Sequence, residues 1–157
     1  MKISFWSVGK GHEPYVKTGV EDFSKRIGNY FKLDWEIIPV PKNSARMGVE
    51  DVKKAEGESI LHKLQKDDFL IALDERGVQL SSEGLAQQIQ TCANASVKRL
   101  VFLIGGAYGI HEAVLKKAGM QWSLSQLVFP HQLVRLILAE QVYRACTILK
   151  NEKYHHK

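Results

Sequence analysis

The chain has 157 residues, of which 45% are hydrophobic and 25% charged, and its formal net charge is +5. Such a composition belongs to a globular protein, and the length fits a single domain, residues 1–157, that buries roughly 70% of the surface its unfolded chain would expose. The length leaves no room for a second catalytic module, and with no long block of like charges a surface for anionic partners has to be assembled by folding.

Lys2 to Val8 reads as a first strand, closed by the loop Gly9-Lys10-Gly11-His12 ahead of Pro14. That loop lacks the further glycine of a dinucleotide fingerprint and the Lys-Ser/Thr ending of a phosphate loop. Val16, Val20, Phe23, Ile27 and Tyr30 then recur on one face of a helix, with Glu21, Asp22, Lys25 and Arg26 outward. Leu33 to Val40 alternates about Trp35, Ile37 and Ile38, and Pro39 and Pro41 close it as a strand and turn. After a polar connection carrying Lys42 and Arg46, Val49, Val52, Ala55, Ile60 and Leu64 mark a second helix with a solvated charged face. Gly57 costs that helix about 1 kcal/mol relative to alanine, which points to close packing there. Phe69 to Leu73 is a third, buried strand ending in Asp74-Glu75-Arg76-Gly77. An acid at that place either holds a nucleotide ribose or forms the turn. Ser81 or Ser82 caps a third helix carrying Leu85, Ala86, Ile89 and Ala93.

The stretch from Arg99 to Ala145 packs the most elements into the least linker. Leu100 to Ile104 is a continuous apolar run, the mark of a strand covered on both faces. Gly105-Gly106 follows, and glycine lets a backbone turn sharply or approach a ligand. The carboxyl end of a strand is where open α/β sheets bind ligands. A short helix from His111 to Ala118, closed by Gly119, leads to a strand over Gln121–Ser125 and a loop through Phe129. Pro130 is expected at the first position of the last helix. Leu133, Val134, Ile137, Leu138, Val142, Ala145, Ile148 and Leu149 give that helix a wide apolar stripe, buried in the core or against a partner. Strands alternating with helices at this spacing define an α/β fold, a parallel sheet of about five strands with helices on both faces.

Cys92 and Cys146 do not form a Cys-x-x-C pair, and the histidines are not spaced to complete a metal site, so both read as reduced helix residues and no metal is expected. The run Ile3–Val8 is too short for the apolar core of a signal peptide, and no stretch approaches membrane-spanning length. A soluble cytoplasmic protein without membrane association is expected.

The string LIGGAYGI from Leu103, then WSLSQLVFPHQLVRLILAEQVYRA from Trp122, and the tail Lys153-Tyr154-His155-His156 closely resemble the RlmH family. These are small SPOUT-class methyltransferases acting on N3 of a pseudouridine in large-subunit (23S) ribosomal RNA. The resemblance spans essentially the whole chain, including Val8-Gly9, Leu73-Asp74 and the segment Ser81 through Ala86. It implies a C-terminal SPOUT trefoil knot, threaded through a loop near Leu73 to Ile104. Periodicity gives no hint of one, and knots are rare on general grounds. It also implies S-adenosyl-L-methionine as cofactor, in a cleft of three loops matching Leu73, Gly105 and Leu124-Ser125-Gln126-Leu127-Val128-Phe129. The implied partners are ribosomal RNA in the assembled ribosome and a second copy of the chain, a homodimer in which each site is completed by the other subunit.

The residue types suit that chemistry. Leu73, Leu124, Leu127 and Phe129 can line the apolar slot that adenine needs, and Gly105 with Gly106 lets main chain approach the methionine portion. N3 of pseudouridine carries a proton that must leave. His155 and His156 in the tail and His131 at the start of the last helix are the candidate acceptors, since histidine titrates near neutrality. The expected catalytic set is His155, Arg135 and Tyr154, with Arg135 toward the RNA and Tyr154 stacking on a base. Arg144 and Glu140 have the spacing of a helix ion pair, so Arg144 reads as structural or interfacial. Lys10, Lys42, Arg46 and the tail are the expected ribosomal contacts. Two other readings stay open: a SPOUT methyltransferase with a transfer RNA or another ribosomal target, and a non-catalytic ribosome- or nucleotide-binding protein on the same fold.

Overall fold

The computed structural model describes residues 1–156. Its strands are β1 (Lys2–Val8), β2 (Lys32–Ile38), β3 (Asp68–Gln79), β4 (Arg99–Ile104) and β5 (Met120–Ser123), all parallel in one sheet of order β2-β1-β4-β3-β5. The helices are α1 (Pro14–Ile27), α2 (Val49–Lys63), α3 (Ser82–Asn94), α4 (Glu112–Lys117) and α5 (His131–Leu149), with one 3₁₀ turn at Ser44–Arg46. The architecture is the α/β sheet expected from the alternation of strands and helices.

Central strand β4 shows why both faces are covered. Leu100, Phe102 and Ile104 pack on one side with Ile27 of α1, Leu85 and Ile89 of α3, and Leu138 and Val142 of α5. Val101 and Leu103 point the other way, to Ile60 of α2 and Val114 of α4. A strand has a two-residue side-chain period, so only an unbroken apolar run can serve two cores. Small residues let the helices approach. A Cβ on Gly57 would stand 3.0 Å from His111 Cβ, which is the close packing between α2 and the start of α4 that its sequence position suggests. Gly19 makes the same room for Leu136, between α1 and α5.

Three local features differ from expectation. β3 does not end at Leu73. It resumes after a register shift, so Trp122 of β5 pairs with both Leu73 and Val78, and residues 74–77 bulge around it. The string Asp-Glu-Arg-Gly reads as a turn, and here it is a turn within a strand: the Asp74 carboxylate accepts from the Arg76 backbone N–H at 2.8 Å and holds the bulge. Pro130 is the residue before α5 rather than its first, with ψ at 141°. Gly105 and Gly106 have ordinary backbone handedness; the left-handed position is Gly109, with φ +89°, and the two earlier glycines are needed for space.

Candidate active site

The carboxyl ends of β3 and β4 and the loop leaving β5 converge on a cavity of about 560 Å³. Leu73 enters from β3 and Gly105 from the end of β4. Leu124, Ser125, Leu127, Val128 and Phe129 form the wall opposite, so seven of the eight residues expected to hold a cofactor lie together. Gln126, the eighth, is exposed and outside the wall. Each loop is held by its own hydrogen bonds. Ser123 Oγ donates to the Ser125 carbonyl at 3.0 Å, and Ser125 Oγ accepts from the Leu127 N–H at 3.0 Å. Gly109 N–H donates to the Gly106 carbonyl at 3.1 Å, closing a tight turn that carries Tyr108 at the cavity mouth. His111 Nδ1 accepts from the Ala113 N–H and caps α4.

The cavity wall mixes the apolar side chains of Leu73, Leu124, Leu127, Val128 and Phe129 with charged ones. Asp74 and Arg76 line it as a fork, Nε and Nη2 each 3.1 Å from the carboxylate. That guanidinium holds the Asp74 carboxyl below the usual carboxylate range. Lys53 of α2 and His131 at the start of α5 complete the wall. Desolvation of the His131 ring, and then the Arg135 cation, lower its pKa and favour the neutral imidazole. Two buried side-chain atoms among the described residues have no hydrogen-bond partner, Trp122 Nε1 and Glu56 Oε1. Trp122 belongs to the cavity wall, and Glu56 lies directly behind Gly106. The sequence places Glu56 with Lys53, Lys54, Glu58 and Lys63 on a solvated face of α2, and its 4% exposure corrects that reading; a tryptophan in a strand looks ordinary there.

The three residues expected to be catalytic lie outside this cavity wall: Tyr154 and His155 sit together against Arg144, and Arg135 lies apart from them. Arg135 is 1% exposed, wedged between α5 and β1; its Nε donates to Ser7 Oγ at 2.9 Å and Nη1 lies 3.3 Å from His12 Nδ1. It faces the interior, not a surface for RNA. Tyr154 and His155 are docked on α3 and α5. The Tyr154 ring lies edge-on to Tyr143 with centroids 4.7 Å apart, and the Arg144 guanidinium sits 4.7 Å above it. His155 Nδ1 faces Arg144 Nη1 at 3.3 Å and Nε2 lies 2.7 Å from Glu83 Oε1. An arginine can only donate, so Nδ1 accepts and Nε2 is left to donate to Glu83. Arg144 also grips Glu140 at 3.0 Å, the ion pair its spacing suggested.

The tail reaches this position through a C-cap that the sequence reading missed. Asn151 takes a left-handed backbone, φ 55°, while the Glu152 N–H bonds the Thr147 carbonyl and the Asn151 N–H bonds that of Ile148. This is a Schellman motif, with asparagine where glycine is commoner. None of the tail residues lines the cavity. His156 is exposed.

A parallel sheet with a ligand-sized cavity at three strand ends suits a nucleotide-like ligand, and comparison with known proteins gives the class. The family model described as "Predicted SPOUT methyltransferase" matches residues 1–155, and the chain belongs to that family. Its relatives narrow this further. It is 46% identical over 157 residues to the Ribosomal RNA large subunit methyltransferase H of Flavobacterium johnsoniae, covering all of both chains. It is 44% identical over 156 residues to the protein of the same name in Cytophaga hutchinsonii, covering 99% of this chain and all of the relative. The same name attaches to a Christiangramia forsetii protein 44% identical over the full length of both. No described helix is long and apolar enough to cross a membrane.

Proposed function

We propose that this protein is an S-adenosyl-L-methionine-dependent methyltransferase of large-subunit ribosomal RNA, acting on N3 of a pseudouridine in the assembled ribosome, and that it works as a homodimer in the cytoplasm. The observation that carries the reading is the meeting of three separate loops, at Leu73, Gly105 and Leu124–Phe129, in one cavity. The cavity fits the cofactor in size and in chemistry. Its apolar wall suits a purine, the bare backbone at Gly105 and Gly106 suits the methionine portion, and Trp122 Nε1 is a buried donor in need of an acceptor. Bound there, the cofactor supplies an electrophilic methyl group.

The chain's own residues then hold the substrate and take its proton. Alignment of the base with the methyl donor supplies several kcal/mol of the barrier, and a positioned base adds on the order of 10²–10⁴-fold. His155 is the proposed base, once the substrate displaces Arg144 from its Nδ1, and Tyr154 the stacking platform, both delivered from the second subunit because they lie outside the cavity of their own chain. Arg135, being buried, acts by holding Ser7 and the His12 loop in place. His131 is the second candidate base, and a specific observation favours it: it lines the cavity within the same chain.

Three further observations support this arrangement. Leu127 and Val128 at the cavity rim are 72% and 88% exposed, and Leu133 and Ile137 of α5 pack in neither core cluster, which suits cover by a second copy. A C-terminal SPOUT knot is supported by membership of the SPOUT family. The positive charge suits an RNA partner.

The test uses labelled donor and ribosomes lacking the modification. Label should enter ribosomal RNA; label in transfer RNA alone overturns the target, and no donor binding at millimolar concentration overturns the enzyme reading. Mixing inactive His155→Ala chains with inactive Gly105→Val chains should restore about a quarter of the activity if His155 acts from the second subunit, and none if it acts within its own chain; with His131 as the base, His155→Ala chains would already be active before mixing.

A further inference from the structure

Glu56 sits on the inward face of α2 and is 4% exposed, in a row with Val52, Gly57 and Ile60. An apolar residue would pack in that position, whereas a carboxylate there costs free energy unless something compensates its charge. Among the described residues no ion pair reaches Glu56. Oε1 has no hydrogen-bond partner, and Lys53, one turn earlier on the same helix, lies against Glu50 at 3.9 Å. Burial pushes the Glu56 carboxyl above the usual carboxylate range, and a cation placed beside it would draw it back toward the ionised form.

The carboxyl group instead fills the space that Gly106 leaves. A Cβ on Gly106 would stand 2.7 Å from Oε1 and 2.9 Å from Oε2. Gly106 is also part of the cavity wall, so a single unadorned backbone residue separates the buried carboxylate from the ligand space. A cation on the cavity side of Gly106 would face Glu56 across low-dielectric protein, with little water to screen the attraction.

We infer that Glu56 is the countercharge for the sulfonium of the methyl donor, acting through the Gly106 backbone to favour donor over product. This rests on the methyl-donor reading of the cavity. The sulfonium is the only charge that differs between the donor and its demethylated product, whose sulfur is a neutral thioether. The attraction therefore holds the donor before transfer and vanishes once the methyl has left, which lets the product go. Glu56 is a positioning residue that acts on binding, because the same attraction does not grow as the sulfonium gives up its charge.

The experiment is calorimetric titration of the full chain with S-adenosylmethionine and, separately, S-adenosylhomocysteine, in wild type and Glu56→Gln, which keeps the shape and removes the charge. The expected result is donor affinity weakened about tenfold, the size of a partly screened charge pair, with product affinity changed by less than about twofold. Equal weakening of both ligands, or of neither, overturns the inference. If Glu56→Gln does not fold, Glu56→Asp keeps the charge and must keep the donor-over-product preference of wild type; its loss is equally fatal. Wild type binding neither ligand would be a different failure, that of the donor reading itself.

Discussion

Around the cavity, buried polar atoms wait without partners: Trp122 Nε1 in the wall and Glu56 Oε1 behind it. In the C-terminal cluster the opposite holds. His155 is engaged at both ring nitrogens, Arg144 bonds Glu140 and covers Tyr154, and the Tyr30 hydroxyl donates to Glu152 at 2.6 Å. A satisfied network stabilises its segment without help, whereas an unsatisfied one gains only when a ligand arrives. The cavity thus leaves polar atoms that a ligand could satisfy, whereas the tail holds its shape with its own bonds.

If that division is right, removing a tail residue should leave ligand binding alone. His155→Ala should lower methyl transfer by on the order of 10²–10⁴-fold, with donor affinity by calorimetry unchanged within about twofold. A parallel loss of donor affinity would mean that the tail belongs to the cavity of its own chain. The next largest effect is on the cavity's frame. Gly77→Ala places a Cβ against the Gln121 and Trp122 backbone, which cannot move aside as a side chain can. It should cost about 3 kcal/mol in chemical denaturation and weaken donor binding, while His155→Ala leaves stability nearly intact.

Much of the sheet was legible because buried strands carry their own signature. Lys2–Val8 was found to the residue, and the uninterrupted run at β4 announced two cores. The three loops that meet at the cavity were named through resemblance, and glycine at 105 and 106 marked the middle one. What could not be read was anything set by long-range packing. Arg135 looks like a surface cation in a helix repeat, and only β1 laid against α5 buries it beside Ser7. Asp74-Glu75-Arg76-Gly77 looks like the end of a strand, and only β5 pairing on both sides of it makes it a bulge. Glu56 belongs among five charged neighbours on paper, Glu50, Asp51, Lys53, Lys54 and Glu58, and α4 with the Gly106 turn selects it for burial.

A smaller effect separates the unpartnered donor in the wall from its packing. Trp122→Phe keeps the ring that packs against Phe102, with centroids 6.1 Å apart, and removes Nε1. Deleting a donor that has no partner removes its desolvation cost, so the melting temperature of the free protein should hold or rise. Affinity for the donor should fall by about threefold to tenfold, the worth of one hydrogen bond. A protein that melts lower yet binds as well would show that Nε1 plays a structural part and has no role in the cavity's chemistry.

The smallest effect tests whether the charged rim of the cavity is a finished network like the tail. Arg76 holds the Asp74 carboxyl below its ordinary value of 3.8 by hydrogen bonding and charge. A carboxyl whose folded-state pKa is depressed adds stability above its unfolded pKa, and that stability drains away as pH falls through 3.8 toward the folded value. Arg76→Ala removes the partner, so the difference in melting temperature between wild type and variant should be present at pH 6 and shrink steadily below pH 4. The Arg76 side chain is 70% exposed, so the difference should be modest and fall further with added salt. A difference that survives at low pH would place the contribution of Arg76 in packing of the 74–77 bulge, and the rim would then resemble the tail in shape alone and not in electrostatics.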